Sequence, residues 1–135
     1  MTDWTAADLP SFTGRTVIVT GANSGLGAVT ARELAAKGAK IVMAVRNTEK
    51  GEAAAQQITG QVEVRRLDLQ DLSSVRQFAD GIDKADVLIN NAGIMAAPYA
   101  LTVDGFESQV GTNHLGHFAL TNLLLPKLTD RVVTV

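Results

Sequence analysis

The sequence contains no cysteine. Disulfides and thiolate chemistry are therefore excluded, and a reduced, intracellular setting is favoured. No apolar run approaches the roughly 20 residues that span a bilayer, so no membrane span is expected. The opening "MTDWTAADLP" has no basic run ahead of an apolar stretch and does not read as a signal peptide. Charge is also nearly balanced: 12 basic against 14 acidic residues leave a net −2. No bulk electrostatic partner, nucleic acid included, is indicated. The expected address is the cytoplasm.

What is present is enough for one globular domain. Apolar residues make up 46% of the 135, and a chain of this length hides roughly two thirds of its unfolded surface. Residues 1–13 read as an N-terminal arm, and 14–135 as the domain. Short β-branched runs at 15–20, 39–45, 62–67, 86–90 and 131–135 alternate with helical stretches at about 25–37, 48–58, 71–81 and 105–125. That alternation predicts an α/β fold of the Rossmann type, a doubly wound parallel sheet with right-handed crossovers. The expected strand order is 3-2-1-4-5. Gly38 suits a left-handed helix end, Asn47 or Thr48 can cap the second helix, and Asp71, with Ser74 as partner, the third. The charges Glu49, Lys50, Glu52, Lys84 and Asp86 read as solvated surface.

Between the first strand and the first helix lies "TGANSGLG", Thr20 to Gly27. Its glycines, Gly21, Gly25 and Gly27, allow a tight turn, a close approach to a pyrophosphate and close helix packing. The helix N-terminus then offers free N–H groups and a positive dipole end. Glycines in an ordinary strand-to-helix turn are the alternative. The phosphate-loop string Gly-x-x-x-x-Gly-Lys-Ser/Thr is absent.

Four motifs, "TGANSGLG", "LDL" at 67–69, "NNAG" at 90–93 and "NHLG" at 113–116, occur in this order. Together they resemble the short-chain dehydrogenase/reductase family over about residues 14–135. Stretches such as "AVRN" and "NNAGIM" look most like its retinol dehydrogenase branch. The resemblance implies hydride transfer between a nicotinamide dinucleotide and a small-molecule carbonyl or alcohol, in a homo-oligomer. It implies cofactor contacts at Gly21, Asn23, Ser24, Gly25, Leu26 and Gly27, at Asp68 and Leu69 around the adenine, and at Asn90, Ala92 and Gly93. It assigns Asn113 a catalytic part, holding a helix bend and a water. Blander roles stand beside these: Asp68 as a strand-end acid, Asn90 and Asn91 as ties for strand 4, Asn113 as a structural amide.

The cofactor is readable at the end of strand 2. An NAD site places an acid there, on the ribose hydroxyl. This chain has Arg46 in "VMAVRNTEK". A guanidinium holds a 2′-phosphate by paired, charge-assisted hydrogen bonds, which favours NADP(H) over NAD(H). The alternative is an exposed loop arginine. On the fourth helix, Phe106, Val110, Asn113, His117, Leu120 and Leu124 follow a 4-3-4-3-4 spacing, so the expectation is one buried stripe that includes Asn113. His114 and His117, with no third ligand signalled, are not expected to hold a metal.

The family's proton-transfer residues are a serine after strand 5 and Tyr-x-x-x-Lys on the next helix. The one tyrosine is Tyr99, with Val103 four residues on. The sequence thus reads as a Rossmann half truncated after strand 5 and catalytically incomplete by itself. A non-catalytic dinucleotide-binding or interaction module is the alternative.

Overall fold

The structure, a computed structural model, describes residues 2–135. Five parallel strands form one sheet in the order β3-β2-β1-β4-β5. They are β1 Thr16–Thr20, β2 Lys40–Val45, β3 Gln61–Arg66, β4 Ala85–Asn90 and β5 Leu128–Thr134. Helices α1 Gly25–Ala36, α2 Thr48–Ala55 and α3 Leu72–Asp80 connect the first four. The last crossover is composite: α4 Ser108–Val110, a π-helical turn Gly111–Gly116, α5 His117–Leu124 and a 3₁₀ turn Leu125–Lys127. The expected order and fold class are both found.

Central strands are covered on both faces, which explains their unbroken apolar runs. Val17, Val19, Ile41, Met43, Val87 and Ile89 point to one face and pack with Ala31 and Leu34 of α1. Ile18, Val42, Ala44 and Leu88 point to the other and meet Val75, Phe78, Leu120 and Leu124 of α3 and α5. The arm belongs to the first of these layers, through Leu9 and Phe12. Lys37 anchors it, with its ammonium on the Ala7 carbonyl at 2.8 Å.

Helix ends follow their local chemistry. Gly38 has φ +95°, the left-handed conformation glycine adopts without a Cβ penalty. The Asn47 side chain accepts from Lys50 N–H, and Asp71 from Ser73 N–H. Ser74 is no capping-box partner: its hydroxyl accepts the Asp68 N–H at 2.9 Å and so ties α3 to the end of β3.

The fourth helix departs from expectation. It starts at Ser108 rather than 105, because the Glu107 carboxylate caps the Gln109 and Val110 N–H groups. The π turn then adds a residue to the helical period. The register of the stripe breaks there: Leu120, Leu124 and His117 are buried, while Phe106, Val110 and Asn113 are exposed. A single 3.6-residue period, assumed across the whole segment, cannot describe a helix with an inserted wide turn.

Asp86 is also not a mere surface charge. Opposite it the β4–β5 register shifts, so that Ala85 faces Leu128 and Val87 faces Arg131. The carboxylate fills this irregularity, accepting Thr16 N–H at 2.8 Å and the Thr129 hydroxyl. It thereby joins β1, β4 and β5. These bonds, Thr129 first, hold its pKa below the ordinary aspartate value. A depressed carboxylate pKa gives stability that is present above about pH 4 and lost as pH falls through the folded value. Asp86→Ala should cost about 1–3 kcal/mol in urea unfolding at neutral pH, as it orphans a strand N–H. The gap to the unmodified protein should close as the pH falls below the ordinary aspartate range and through the lowered folded value; an unchanged midpoint at pH 7 would remove Asp86 from this role.

Candidate functional site

The carboxyl ends of β1 and β4 are the switch point of the sheet, where open α/β folds bind ligands. The glycine loop turns sharply there. Gly21 has φ +64°, and a Cβ on it would stand 2.8 Å from the Ala92 Cα. A Cβ on Gly27 would meet the Gly21 carbonyl and Asn91 Nδ2. Both glycines are thus forced by packing of α1 and β4 against the loop. Gly25 differs: φ is +54°, yet a Cβ there would meet nothing within 4 Å. Its absent side chain leaves open space at the N-terminus of α1. Ser24, at the N-cap, makes no side-chain bond to the helix amides, and Leu26 is 70% exposed. First-turn N–H groups are therefore available to an anion.

Beside this turn lies a cleft of about 520 Å³, lined by Gly21, Asn23, Ala44, Arg46, Leu67, Asp68, Leu69, Gln70, Ala92, Gly93, Ile94 and Thr112. It continues into a hollow of about 630 Å³ over the loop, lined by Gly21, Asn23, Ser24, Leu26, Asn91, Ala92 and Gly93. The sequence-predicted residues Gly21, Asn23, Ser24, Leu26, Arg46, Asp68, Leu69, Ala92 and Gly93 meet along one continuous groove. Gly25 and Gly27 shape it from α1.

Asn90 lies elsewhere. Its amide donates to the Thr121 hydroxyl at 2.9 Å, and it faces a separate hollow with His114, His117 and Phe118. Strand alternation sends neighbouring side chains to opposite faces, so Asn91 takes the place on the groove. Asn91 Nδ2 donates to the Thr20 carbonyl at 3.0 Å and so clips β4 to the glycine loop.

Asn113 is exposed, contrary to the expected buried stripe. Its amide is nonetheless held at both ends, accepting Ile94 N–H and donating to Ile94 C=O, both at 2.8 Å. This two-point clamp on a backbone unit fixes the segment Gly93–Ile94 at the cleft wall. Gly93 lies close enough that a Cβ would stand 3.3 Å from Asn113 Oδ1. The Asp68 carboxylate accepts Gln70 N–H at 2.9 Å and sits 3.9 Å from Arg66.

Two residues without a predicted role hold the site together. The Thr20 hydroxyl, fully buried, accepts the N–H groups of Asn91 and Ala92, each at 2.9 Å. It also lies 2.9 Å from His117 Nε2. Burial holds the His117 imidazole below its ordinary pKa, opposed by its bond to the Asn113 carbonyl. The sequence signal was a polar residue ending an apolar strand, and a histidine on the buried side of a helix. His114 is exposed and tilts against Phe118, ring centres 6.3 Å apart.

Comparison with known proteins agrees with this geometry. The profile of the short chain dehydrogenase family matches residues 15–134. The chain belongs to that family, a family of oxidoreductases. It is 53% identical over 135 residues to human retinol dehydrogenase 11, covering 90% of this chain and 42% of that protein. It is 56% identical over 124 residues to human retinol dehydrogenase 13, covering 85% and 38%. The chain thus spans about two fifths of the length of these curated relatives. A solved structure of an uncharacterised protein from Mycobacterium paratuberculosis is 82% identical, with a TM-score of 0.95 over 97% of this chain and 49% of that one. A metagenomic short-chain oxidoreductase, solved in complex with NADP, is 27% identical with a TM-score of 0.79, covering 90% of this chain and 62% of that one.

The glycines make separable predictions. Gly27→Ala forces a Cβ into backbone and should destabilise the fold by about 2 kcal/mol or more. Gly25→Ala meets no atom and should cost only about 1–2 kcal/mol of left-handed strain, while impairing anion binding. Thermal unfolding of both variants checks this; equal losses would contradict the assignment of distinct roles.

Proposed function

We propose that this chain forms the NADP(H)-binding part of a short-chain oxidoreductase acting on a small carbonyl or alcohol. The observation that carries the cofactor choice is Arg46. It lines the cleft just past the end of β2, with no acid at the strand tip. A carboxylate there would repel a 2′-phosphate; a guanidinium binds it. The open space at Gly25 and the uncapped start of α1 fit a pyrophosphate, and the recess at Asp68 and Leu69 fits a flat base. The NADP complex of the metagenomic relative and the names of the retinol dehydrogenases support the same reading.

When bound, a nicotinamide supplies or accepts hydride. The residues present here bind and orient: the glycine loop at the phosphates, Arg46 at the ribose, and Asn113 through its clamp on Ile94. We place proton transfer outside residues 1–135. Tyr99 is 80% exposed in the loop before α4 and has no lysine four residues on, and both His117 ring nitrogens are engaged. By itself this part should therefore bind dinucleotide without turnover. We place the protein in the cytoplasm, as a homo-oligomer. Among the described residues no helix is long and apolar enough to cross a membrane.

Titration with NADPH and NADH tests the reading. NADPH should bind about tenfold more tightly or better, the scale of a charged hydrogen-bond pair. Arg46→Asp should erase that preference and leave NADH binding nearly unchanged. Tighter binding of NADH by the unmodified protein would overturn the assignment.

A further inference from the structure

Beneath the cleft, Thr20 and His117 form a hydrogen-bond circuit whose proton positions the geometry fixes. His117 Nδ1 lies 3.1 Å from the Asn113 carbonyl. A carbonyl only accepts, so Nδ1 carries a hydrogen. In the neutral ring Nε2 is then an acceptor, and the Thr20 hydroxyl, 2.9 Å away, donates to it. The two lone pairs of that hydroxyl are taken by Asn91 and Ala92 N–H. A threonine hydroxyl has one donor and two acceptor sites, and here every one is used.

A proton on Nε2 breaks this count. The ring would then have to donate to an oxygen that already accepts twice. The Thr20 hydroxyl hydrogen has a substitute acceptor in the Ile89 carbonyl, at 3.5 Å. The incoming N–H has none, because three donors cannot share two lone pairs. One of the amides of Asn91 and Ala92 must let go, and these amides open the segment that lines the groove.

We propose that His117 is a positioning residue: its neutral Nδ1–H form orients the Thr20 hydroxyl that pins Asn91 and Ala92, and its protonation releases them and weakens dinucleotide binding. The binding half of this rests on the function proposed above; the pinning half does not. His117 shares its hollow with Asn90 of β4, Thr121 and Asn122 of α5, Thr134 of β5 and His114 of the π turn. Among these described neighbours His114 is the one other titratable group, and it is exposed. No ion pair in the hollow therefore opposes the effect of burial, which keeps the ring neutral at neutral pH.

The test is a nuclear magnetic resonance titration of the purified protein from about pH 7.5 to about pH 5, the range in which histidines charge. The ring nitrogens of His117 and the amides of Asn91 and Ala92 are followed together. Expected are a bare Nε2 at neutral pH and amide shifts that move with the His117 titration. His117→Gln, which keeps an acceptor without a titration, should hold both amides still. Thr20→Ser should preserve the pinned amide shifts and Thr20→Val should lose them at every pH. In parallel, NADP affinity should fall about tenfold more in the unmodified protein than in His117→Gln, the scale of one strained charged hydrogen bond. The variant also removes the ligand's own 2′-phosphate titration, near pH 6, from the comparison. An Nε2–H tautomer at neutral pH, amides that ignore the titration, or a ring that stays neutral until the protein unfolds would overturn the proposal. Parallel loss of affinity in both proteins would overturn its binding half. Pinned amides without dinucleotide binding at any pH would support the positioning role and reject the function proposed above.

Discussion

The site depends on one close approach, that of β1 and β4 at their carboxyl ends. Gly21 and Ala92 leave no room there for a Cβ, and the buried Thr20 hydroxyl joins the two strand ends through the amides of Asn91 and Ala92. Everything on the groove is referred to this junction. The glycine loop leaves it on one side, and the Ala92–Ile94 wall leaves it on the other. Because the Thr20 side chain at this junction is fully buried, an unsatisfied site on its hydroxyl would cost that group's desolvation penalty. The sheet meets that constraint by satisfying each donor and acceptor of Thr20.

The two-sided core makes this position possible. α1 covers one face and α3 with α5 the other, so the sheet cannot shift without disturbing both apolar layers. The groove then forms where α1 begins and the crossover after β4 turns away. Asn113 acts in the same sense at longer range. From an exposed position on the π turn it grips the Ile94 N–H and C=O and holds that residue at the cleft wall. An amide suits this because it donates and accepts at once.

Much of this was legible in the sequence. The alternation of β-branched runs with helical stretches pointed to a parallel α/β sheet, the Rossmann-type reading supplied its strand order, and "TGANSGLG" located the groove, because its turn and close packing call for glycine. Arg46 could be placed by counting from the loop to the end of β2. The parts that were not legible share a cause. The π turn has no period of its own in the residue pattern, so the exposure of Asn113 was hidden. Which of Asn90 and Asn91 faces the groove depends on strand phase, and a one-residue error swaps the faces. Asp86 acts at a register irregularity between β4 and β5, a partnership of residues 43 positions apart. Thr20 and His117 meet across 97 residues, and nothing local to either names the other.

The central claim is that the groove at the β1–β4 junction is the dinucleotide site. The most direct measurement is amide chemical-shift mapping during titration with NADP. The account predicts that the largest changes fall on Gly21, Gly25, Arg46, Asp68, Ala92 and Gly93, while Thr16 and Thr129, at the opposite end of the sheet, stay still. Saturable changes centred anywhere else, or none at millimolar ligand, would contradict it.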